Sequence, residues 1–506
     1  MHIKKILIAN RGEIAIRIMR SCYELGIETV AIYSEADRAS KHVFYANEAY
    51  CVGPAASEES YLCIDTIIET AVRCGADAIH PGYGFLSENA TFAKRCSDYE
   101  LIFIGPSASV IELMGDKISA RSCMQQAGIP VVPGSDGALQ DIASVMEVAD
   151  RIGYPVMIKA SQGGGGKGMR CVQRKEDLQE AYETARNEAR AAFNSDVVYV
   201  EKFIENPHHI EFQVLGDNYG NVIHLYEREC SIQRRNQKII EETPSPFLWK
   251  SLRKEMGDTA VKAAKAIGYV GAGTIEFLVD ERGNYYFLEM NTRLQVEHPI
   301  TEMTLDIDLV KEQIFIAKGH PLYLEQEKLK PVGHAIECRI CAEATDADFA
   351  PAPGIVQLLS EPSGPGVRLD SYLYEGYEIP VHYDPMLSKL VVWAAKREYA
   401  IHRMKRALNE YHLSGTLKTN IIYLKAIMST PDFLRGRYDI AFIPKHAEEI
   451  KRNYAVSNEE VENMAMIAVY IDYLMNENDS KPGTASDNRP ISRWREFGKR
   501  KGVLRI

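Results

Sequence analysis

Two short apolar segments joined by a polar turn constrain the fold of this chain more than any other feature. Residues 273–280 and 285–290 are rich in Ile, Phe, Val, Tyr and Leu, and the residues 281–284 between them favour a β-hairpin loop. A symmetric hairpin about this loop places Glu276 directly opposite Glu289. Side chains opposed across an antiparallel ladder have Cβ atoms about 5 Å apart, where like charges repel. The sequence therefore predicts a carboxylate pair that needs a counter-charge, such as a bound divalent cation.

The polar pattern continues beyond the hairpin with the same two-residue period. The alternate positions carry an amide, a guanidinium, a second amide and a carboxylate: Asn291, Arg293, Gln295 and Glu297. We expect these side chains to point to one side of an extended segment, and Met290, Leu294 and Val296 to point to the other. An amphipathic strand with a solvated polar face would show the same alternation. The opposed carboxylates, with Arg293 within reach of an anion, instead favour a site for a metal ion and a phosphate.

The overall composition excludes several classes of protein. Of the 506 residues, 46% are hydrophobic and 25% charged, and the net charge of -11 argues against general binding to nucleic acid. No apolar run is long enough to span a bilayer, and the first one is too short for a signal peptide. The ten cysteines are scattered, as in proteins of reducing compartments. We therefore expect a cytoplasmic enzyme of roughly three domains, with neither nucleic-acid nor membrane partners.

Changes in pattern divide the chain into four segments. Residues 1–114 alternate apolar strands with amphipathic helices, a βαβ arrangement that predicts a parallel sheet. Residues 115–330 mix a Gly-rich loop, long helices and the hairpin, and residues 331–445 mix strands with helices. Residues 446–506 predict a helix with an apolar stripe and then a basic terminus. The fold class is therefore mixed, α/β and α+β.

A Gly-rich loop lies at residues 162–168. The segments before and after it, residues 155–160 and 169–172, both favour strands, so the glycines join a hairpin and do not open a helix. A Walker motif is excluded because Gly168 follows Lys167 where Ser or Thr is required. The loop is then a flexible flap whose backbone amides can close over phosphates. A plain mobile loop is the alternative, although ordering four consecutive glycines costs backbone entropy that a bound ligand could offset.

Seven motifs occur in one order between residues 1 and about 445. They are Ile8–Ala15, His80–Asn89, Met114–Lys117, the Gly-rich flap, Gln233–Arg235, Glu289–His298 and Glu337–Arg339. Through these motifs the chain resembles the biotin carboxylase component of biotin-dependent carboxylases, an ATP-grasp enzyme. The resemblance implies an N-terminal doubly wound parallel sheet, a central ATP-grasp domain with a mobile lid at about residues 132–203, a C-terminal mixed domain and a helical tail.

The same resemblance implies that ATP binds between the flap and a large sheet. The matching positions are Lys117, Lys159, Gly163, Gly164, Gly165, Gly166, Glu201, Lys202, Ile204, His209, Gln233 and Glu276. It further implies that Glu276 and Glu289, with Asn291 nearby, hold the Mg²⁺ or Mn²⁺ ions that bridge the phosphates of ATP. The opposed carboxylates would thereby acquire their counter-charge.

The resemblance also implies the roles of the remaining polar residues. Bicarbonate would be bound by Arg293, Gln295 and Val296. Glu297 would take the proton of bicarbonate as general base, and Lys238 would stabilise charge on the transferred phosphoryl group. The resulting carboxyphosphate would decompose to carbon dioxide and phosphate. That phosphate would deprotonate biotin N1, and Arg339 would stabilise the biotin enolate, which completes the first half-reaction of an acetyl-CoA or pyruvate carboxylase.

Two other functions share part of this pattern. A different ATP-grasp ligase would have the same metal carboxylates and flap but would need no biotin-directed arginine such as Arg339. A catalytically silent ATP-binding subunit would lack catalytic groups, whereas every group proposed above is present. Two positions depart from the resemblance: Asn236 stands where the family usually has His, and Cys341 stands where Asn is commoner. Neither departure removes a proposed catalytic group. Asn offers hydrogen bonds but no titratable ring, so we expect altered nucleotide affinity and retained activity.

The carboxyl acceptor is expected on another chain. Biotin is attached to a lysine between two methionines in this family, and the nearest string here, Asn463-Met464-Ala465-Met466, has no lysine. The resemblance therefore implies a separate biotin carboxyl carrier protein and a separate carboxyltransferase subunit, and it implies a homodimer. We also expect the segment beyond about residue 445 to be a candidate docking site for a partner subunit, with a solvated terminus as the alternative.

Overall fold

A five-stranded parallel sheet forms from the first part of the chain. The structure is a computed structural model that describes residues 2–135, 137–139, 141–160, 169–193, 197–454 and 465–472. The strands of the first sheet are β1 (Lys5–Ile8), β2 (Glu28–Ser34), β3 (Glu48–Gly53), β4 (Ala78–His80) and β5 (Ile102–Phe103). They lie in the order β3-β2-β1-β4-β5, and every neighbouring pair is parallel. The predicted parallel sheet is confirmed.

Helices cover both faces of this sheet. They are α1 (Gly12–Glu24), α2 (Lys41–Tyr45), α3 (Ile64–Arg73) and α4 (Ala90–Asp98). The next helix, α5 (Ala108–Gly115), packs Val110 and Met114 in a different core, together with Phe212 and Phe287. Successive residues of β1 point to opposite faces: Ile6 and Ile8 pack in one core with Ile14 of α1, whereas Leu7 packs in another with Ile67 of α3. The sheet is therefore doubly wound, as predicted.

A small antiparallel sheet follows. Its strands are β6 (Val156–Ala160), β7 (Met169–Val172) and β8 (Val198–Lys202). The helices in the same part of the chain are α6 (Lys117–Gln126), α7 (Ile142–Ile152) and α8 (Leu178–Phe193). The strand order is β7-β6-β8. Lys159 pairs with Met169, so the strands on either side of the Gly-rich loop form the predicted hairpin. The loop itself, residues 161–168, lies outside the described residues, and the prediction for Gly163 to Gly166 lies there with it.

The largest sheet has eight antiparallel strands in the order β13-β12-β9-β10-β11-β14-β19-β18. Five of its strands come from residues 208–291: β9 (His208–Gly216), β10 (Val222–Arg234), β11 (Gln237–Thr243), β12 (Gly271–Val279) and β13 (Tyr285–Asn291). The helices in this part of the chain are α9 (Lys250–Ala266), α10 (His298–Leu305) and α11 (Leu309–Ala317). The other three strands are β14 (His334–Cys341), β18 (Val367–Ser371) and β19 (Met386–Ala394). Two short sheets pair β15 (Glu343–Ala344) with β16 (Ala350–Pro351), and β17 (Val356–Ser360) with β20 (His412–Gly415). The helices that follow β19 are α12 (Arg397–Glu410), α13 (Ile421–Ile427), α14 (Pro431–Leu434), α15 (Phe442–Lys445) and α16 (Ala447–Tyr454). Strands from residues 115–330 and from residues 331–445 thus share one sheet through the pairing of β11 with β14.

The centre of this sheet has one apolar and one polar face. In β9, Ile210, Phe212 and Val214 pack in the core that contains α9. Glu211 and Gln213 alternate with them and point to the other face, although both are fully buried. A strand that is buried throughout therefore presents hydrocarbon to a helix on one side and hydrogen-bonding groups on the other, and the polar side carries the candidate site.

The tail is described only in part. Residues 1–454 form one compact unit and residues 455–506 form a second one. In the second unit, residues 465–472 are helical and expose Met466, Val469 and Tyr470, while the predicted basic terminus lies outside the described residues. No helix among the described residues has the length and apolarity needed to cross a membrane.

Candidate active site

The polar face of the eight-stranded sheet forms one wall of a cavity of about 600 Å³. Every candidate side chain that falls on described residues lines this cavity. These residues are Lys117, Lys159, Glu201, Lys202, Ile204, His209, Gln233, Lys238, Glu276, Glu289, Asn291, Arg293, Gln295, Val296, Glu297 and Arg339. The tertiary structure therefore collects into one cavity a set of residues that spans 223 positions of sequence from Lys117 to Arg339.

Glu276 and Glu289 pair directly across β12 and β13, as predicted, but the route to this register differs from the expected one. The turn covers residues 280–284, one residue more than predicted, and the pairing shifts at a bulge between Glu276 and Phe277. The longer turn and the bulge offset each other. The predicted partner of Glu276 is therefore right, while the predicted symmetric loop is wrong.

The two opposed carboxylates have different surroundings. Glu276 accepts hydrogen bonds from Lys238 at 2.9 Å, Asn291 at 2.8 Å and Gln295 at 2.7 Å, whereas no donor among the described residues contacts the carboxylate of Glu289. Burial by itself would raise the pKa of Glu276, but Lys238 and His209 together outweigh burial, through their charges and hydrogen bonds, and hold that pKa well below its usual range. Burial, reinforced by the charge of Glu276, raises the pKa of Glu289.

This asymmetry fits a divalent cation. Glu289 is a partly buried carboxylate beside a second carboxylate, and no hydrogen-bond donor in the described part of the chain contacts it. Hard cations such as Mg²⁺ prefer carboxylate and amide oxygens. Glu276 and Asn291 lie next to it and supply oxygens of both kinds. The oxygen ligands offered by Glu276, Glu289 and Asn291 therefore suit the divalent cation that the sequence predicted.

A histidine supports the second oxygen of Glu276. The amide of Gln233 donates to Nδ1 of His209 over 2.7 Å, and Nε2 of His209 lies 2.6 Å from Oε2 of Glu276. Because Nδ1 accepts, Nε2 carries the proton and donates to Glu276. Gln233 and His209 thus orient a carboxylate at the centre of the cavity.

Lys238 connects three carboxylates. Its ammonium lies 2.5 Å from Glu211, 2.9 Å from Glu276 and 2.8 Å from Glu297, and its side chain is 12% exposed. Burial by itself would lower the pKa of Lys238, but these three neighbours outweigh burial and hold it well above its usual range. Lys238 is therefore a fixed positive charge between the Glu276 end and the Glu297 end of the site.

Glu297 has a second cation beside it. Arg339 donates to Glu297 over 2.9 Å and to Glu241 over 2.6 Å. Burial by itself would raise the pKa of Glu297, but Lys238 and Arg339 outweigh burial and hold that pKa well below its usual range. Glu297 is consequently ionised and able to accept a proton.

The segment after β13 corrects one prediction. The strand ends at Asn291, and residues 292–297 form bends and turns before α10 begins. Val296 lines the cavity together with Arg293, Gln295 and Glu297, so the expectation that Val296 points away with Leu294 is wrong. A turning backbone does not alternate sides, and consecutive residues can then face one cavity.

Arg293 is held by the N-terminal sheet region. Its Nε donates to Glu88 over 2.7 Å, and its terminal nitrogen donates to Asn291 over 2.8 Å. Glu88 also accepts from the backbone amide of Thr292 over 3.0 Å. Glu88 is separated from Arg293 by more than two hundred residues, and it is not among the predicted site residues, although it lies within the motif His80–Asn89.

A buried arginine beneath the site was also missed. Arg228 is fully buried and donates to Glu211, to Gln213 over 2.7 Å and to Gln295 over 2.9 Å. The signal that could have found Glu211 and Gln213 is the same polar alternation that marked Glu276, because both alternate with apolar residues in β9.

The far end of the cavity carries lysines and an apolar wall. Lys159 donates to Glu201 over 2.6 Å, and Lys202 donates to the backbone carbonyls of Gly153 and Tyr154 over 3.0 and 2.9 Å. Burial lowers the pKa of Lys117. The apolar lining includes Val132, Met157, Met169, Ile204, Leu278 and Leu288.

Asn236 lies at the rim of the cavity in the turn between β10 and β11. Both central residues of this turn, Arg235 and Asn236, have positive φ angles of 50° and 64°. Two-residue hairpins of this type require left-handed backbone, which Asn adopts more readily than most residues. Asn at this position therefore suits the turn, in addition to offering an amide to the cavity.

Comparison with known proteins gives one family. Family profiles match residues 2–111 (Biotin carboxylase, N-terminal domain), 116–325 (Carbamoyl-phosphate synthase L chain, ATP binding domain) and 337–445 (Biotin carboxylase C-terminal domain). A biotin carboxylase of Nostoc sp. is 56% identical over 443 residues, which cover 88% of this chain and 99% of that one. Biotin carboxylase 1 of Bacillus subtilis is 52% identical over 442 residues, which cover 87% of this chain and 98% of that one.

A solved structure shows the same architecture. It is the biotin carboxylase domain dimer of the Hydrogenobacter thermophilus 2-oxoglutarate carboxylase, in complex with MgADP, ADP and bicarbonate. The TM-score is 0.85 and the identity 50%, over 89% of this chain and 99% of that chain.

Proposed function

Because the chain belongs to the biotin carboxylase family and is an ADP-forming ligase that carboxylates biotin with bicarbonate and ATP, we propose that the cavity described above is its active site. One observation carries this proposal. The ammonium of Lys238 touches both Glu276, beside the metal-type carboxylate pair, and Glu297, the ionised group next to Arg293 and Arg339. A single cation thus lies where a nucleotide phosphate and a small anion would meet.

The nucleotide end of the site would bind ATP. The apolar wall that contains Ile204 and Leu278 suits a purine ring, and Lys117 and Lys159 supply positive charge toward the phosphates. Glu276, Glu289 and Asn291 would hold Mg²⁺ or Mn²⁺, which when bound neutralises charge between phosphate groups. The remaining predicted ATP contacts are proposed for Glu201, Lys202, His209, Gln233 and the glycines 163–166.

Bicarbonate would bind at the turn after β13. Arg293 supplies a guanidinium that Glu88 and Asn291 hold in place, while Gln295 and the backbone of Val296 supply further hydrogen bonds. Glu297 would remove the proton of bicarbonate. A bicarbonate oxygen then attacks the γ-phosphorus of ATP, the bond between this phosphorus and the bridging oxygen breaks, and ADP leaves.

Lys238 would also control the basicity of Glu297. In the free enzyme its charge lowers the pKa of Glu297 and makes this carboxylate a weak base. A γ-phosphate that attracts Lys238 would weaken the contact between Lys238 and Glu297 and raise that pKa. Proton removal would therefore be favoured when ATP is bound, and Lys238 would then stabilise the charge on the transferred phosphoryl group.

Biotin would enter from a second cavity of about 470 Å³ that shares Arg293, Val296 and Arg339 with the first. Carboxyphosphate would break its C–O bond to give carbon dioxide and phosphate, and the phosphate would take the proton of biotin N1. Arg339 would stabilise the enolate, whose N1 forms the new bond to carbon dioxide. Enclosure in the two connected cavities would limit the access of water to carboxyphosphate, which water would otherwise hydrolyse.

The assembly follows from the same reasoning. The match extends over 99% and 98% of the Nostoc and Bacillus biotin carboxylases, which supports our proposal that biotin is carried by a separate protein and that a separate carboxyltransferase completes the reaction. The dimer of the Hydrogenobacter relative supports a homodimer. The ten free cysteines suit a reducing compartment, and we propose the cytoplasm. We keep the proposed domain limits at 1–114, 115–330, 331–445 and 446–506.

Steady-state ATP hydrolysis tests the proposal. ADP release by the purified chain should require bicarbonate and should be accelerated by free biotin. Hydrolysis that is independent of both, or that depends on a different acceptor, would instead support another ATP-grasp carboxylate ligase. Intact mass after coexpression with a biotin ligase should show no biotin on this chain.

A further inference from the structure

A buried lysine, Lys389, donates a hydrogen bond to the backbone of the loop that carries the proposed bicarbonate site. Lys389 lies in β19, is fully buried, and does not line either cavity. Its ammonium donates to the backbone carbonyl of Val296 over 3.1 Å. This carbonyl belongs to the peptide that joins Val296 to Glu297. Its orientation therefore determines the position of Glu297, which is the N-cap residue of α10.

The register of the sheet places Lys389 in a row of charges. It pairs directly with Arg339 on β14 and with Asp370 on β18. Two cations opposed across a ladder repel each other, and each is drawn to its own acids. Arg339 contacts Glu241 and Glu297, whereas Lys389 lies 3.9 Å from Asp370 and turns toward Val296.

A second acid comes from the other end of the chain. Glu13 of α1 lies 3.2 Å from Lys389 and is itself buried. Its other oxygen accepts the hydroxyl of Tyr83, a residue that lines the second cavity, and the Tyr83 ring lies 5.5 Å from the Lys389 ammonium. Lys389 therefore joins α1, the loop after β4 and the loop after β13 at one point.

The preceding peptide of the same loop is also held. Nδ1 of His298 lies 2.8 Å from the carbonyl oxygen of Gln295, and because a carbonyl can only accept, the histidine donates. Two successive carbonyls, those of Gln295 and Val296, are thus fixed by buried side chains. Few regular backbone hydrogen bonds hold residues 292–297, because they form neither strand nor helix, so these side chains set the loop geometry.

We propose that Lys389 is a positioning residue for the bicarbonate site, and that its ammonium aligns Glu297 and the Val296 backbone without touching substrate. The inference rests on the function proposed above for Glu297. Burying a cation costs free energy that an apolar side chain in the same place would not cost. For Lys389, the carboxylates of Glu13 and Asp370 offset that cost, and the ammonium reaches the Val296 carbonyl. Misplacement of a catalytic group by about 1 Å is enough to lower turnover strongly.

The variant Lys389→Met tests this role in the full-length protein. We expect the KM for bicarbonate to rise by about tenfold or more, since one charge-assisted hydrogen bond is lost, or kcat to fall by a similar factor. The dissociation constant for MgADP should change less than about threefold, because Glu276, Glu289 and the lysines of the nucleotide end are untouched. A crystal structure of the variant should show the Val296 carbonyl rotated.

Arg397→Met is the matched control. Arg397 is also a largely buried cation, and it pairs with Glu242 over 2.7 Å, but it lines neither cavity. Its loss should lower the free energy of unfolding and leave the bicarbonate KM unchanged. If Lys389→Met behaves in the same way, the ammonium has only a structural role and the inference is overturned.

A second variant covers the case in which Lys389→Met does not fold. Lys389→Arg keeps the charge that Glu13 and Asp370 require but replaces a compact ammonium with a wider planar group. It should fold and still show a raised bicarbonate KM. Unchanged bicarbonate kinetics in this variant would overturn the inference, while a wild-type enzyme without bicarbonate-dependent ADP release would overturn the proposed function itself and this inference with it.

Discussion

Glu276 and Glu289 face each other across β12 and β13, and within the described part of the chain only Glu276 is surrounded by donors. The chain therefore neutralises one carboxylate of the pair and leaves the other for a ligand. Of the proposed metal carboxylates, Glu289 is therefore the one whose charge depends most on the metal, and this leads to the first prediction.

Glu289→Gln should weaken binding of MgADP by about tenfold or more, because a carboxylate for the cation is lost. Binding of ADP without metal should change little. Isothermal titration with and without Mg²⁺ measures both constants. Glu281→Gln, an exposed position in the turn of the same hairpin, is the control. Equal losses with and without metal would contradict the metal role of Glu289.

Glu297→Gln should lower bicarbonate-dependent ADP release by roughly 10²-fold or more, the usual contribution of a general base. Nucleotide binding should stay near that of the wild type, because the site of Glu297 is separated from the metal pair by Lys238. Turnover and MgADP titration on one preparation test both parts. A residual rate above about a tenth of the wild-type rate would exclude the base assignment.

Lys238→Met should destabilise the protein by roughly 3 kcal/mol, because three buried carboxylates lose their shared cation. Urea unfolding at pH 7 measures this loss. The double variant Lys238→Met with Glu276→Gln should recover part of it, since Lys238 is the one lysine or arginine among the described residues that pairs with Glu276. A double variant less stable than Lys238→Met alone would show that Glu276 is not repelled by its neighbours.

Glu242 should make the stability of the enzyme sensitive to acid. Burial by itself would raise its pKa, but Arg397 and His334 outweigh burial and lower the pKa from the ordinary value of 4.5 to about 2. A carboxyl with a lowered folded-state pKa contributes stability that is complete above about pH 4.5 and is lost as the pH falls toward 2. The two pKa values correspond to roughly 3 kcal/mol.

Glu242→Gln should therefore be less stable than the wild type by roughly 3 kcal/mol at pH 7, with the difference vanishing near pH 2. Urea unfolding of both proteins at several pH values gives the difference directly, and other carboxyl groups cancel in it. A difference that stays constant with pH would contradict the assignment.

Truncation should separate the fold from the tail. Ile450 of α16 is buried in the core that also contains Leu424 of α13, so truncation after Lys445 should lower stability. Truncation after Tyr454, the end of the first compact unit, should keep wild-type stability and ATPase activity. If the tail docks a partner, this second truncation should lose carboxyltransferase in copurification, and unchanged copurification would contradict that role.

Local patterns predicted the elements of this fold well. Strand alternation and helical periodicity depend on neighbouring residues, so the parallel sheet, the hairpin around the Gly-rich loop and the first amphipathic helix could be predicted. The partner of Glu276 could also be predicted, because a short turn fixes the register of a hairpin to within about a residue. The bulge between Glu276 and Phe277 was not predicted, because the two-residue alternation along a strand does not mark where an extra residue is inserted.

The sequence by itself determined which groups the chain offers: the carboxylate pair, the lysines, Arg293, Glu297 and Arg339. Only the tertiary structure decided how they are held, because their supports come from distant parts of the chain. Glu88 orients Arg293, Arg228 lies beneath Gln295, and Lys389 holds the Val296 carbonyl. Contacts of this kind arise when strands and loops far apart in sequence are packed together, and no local period encodes them.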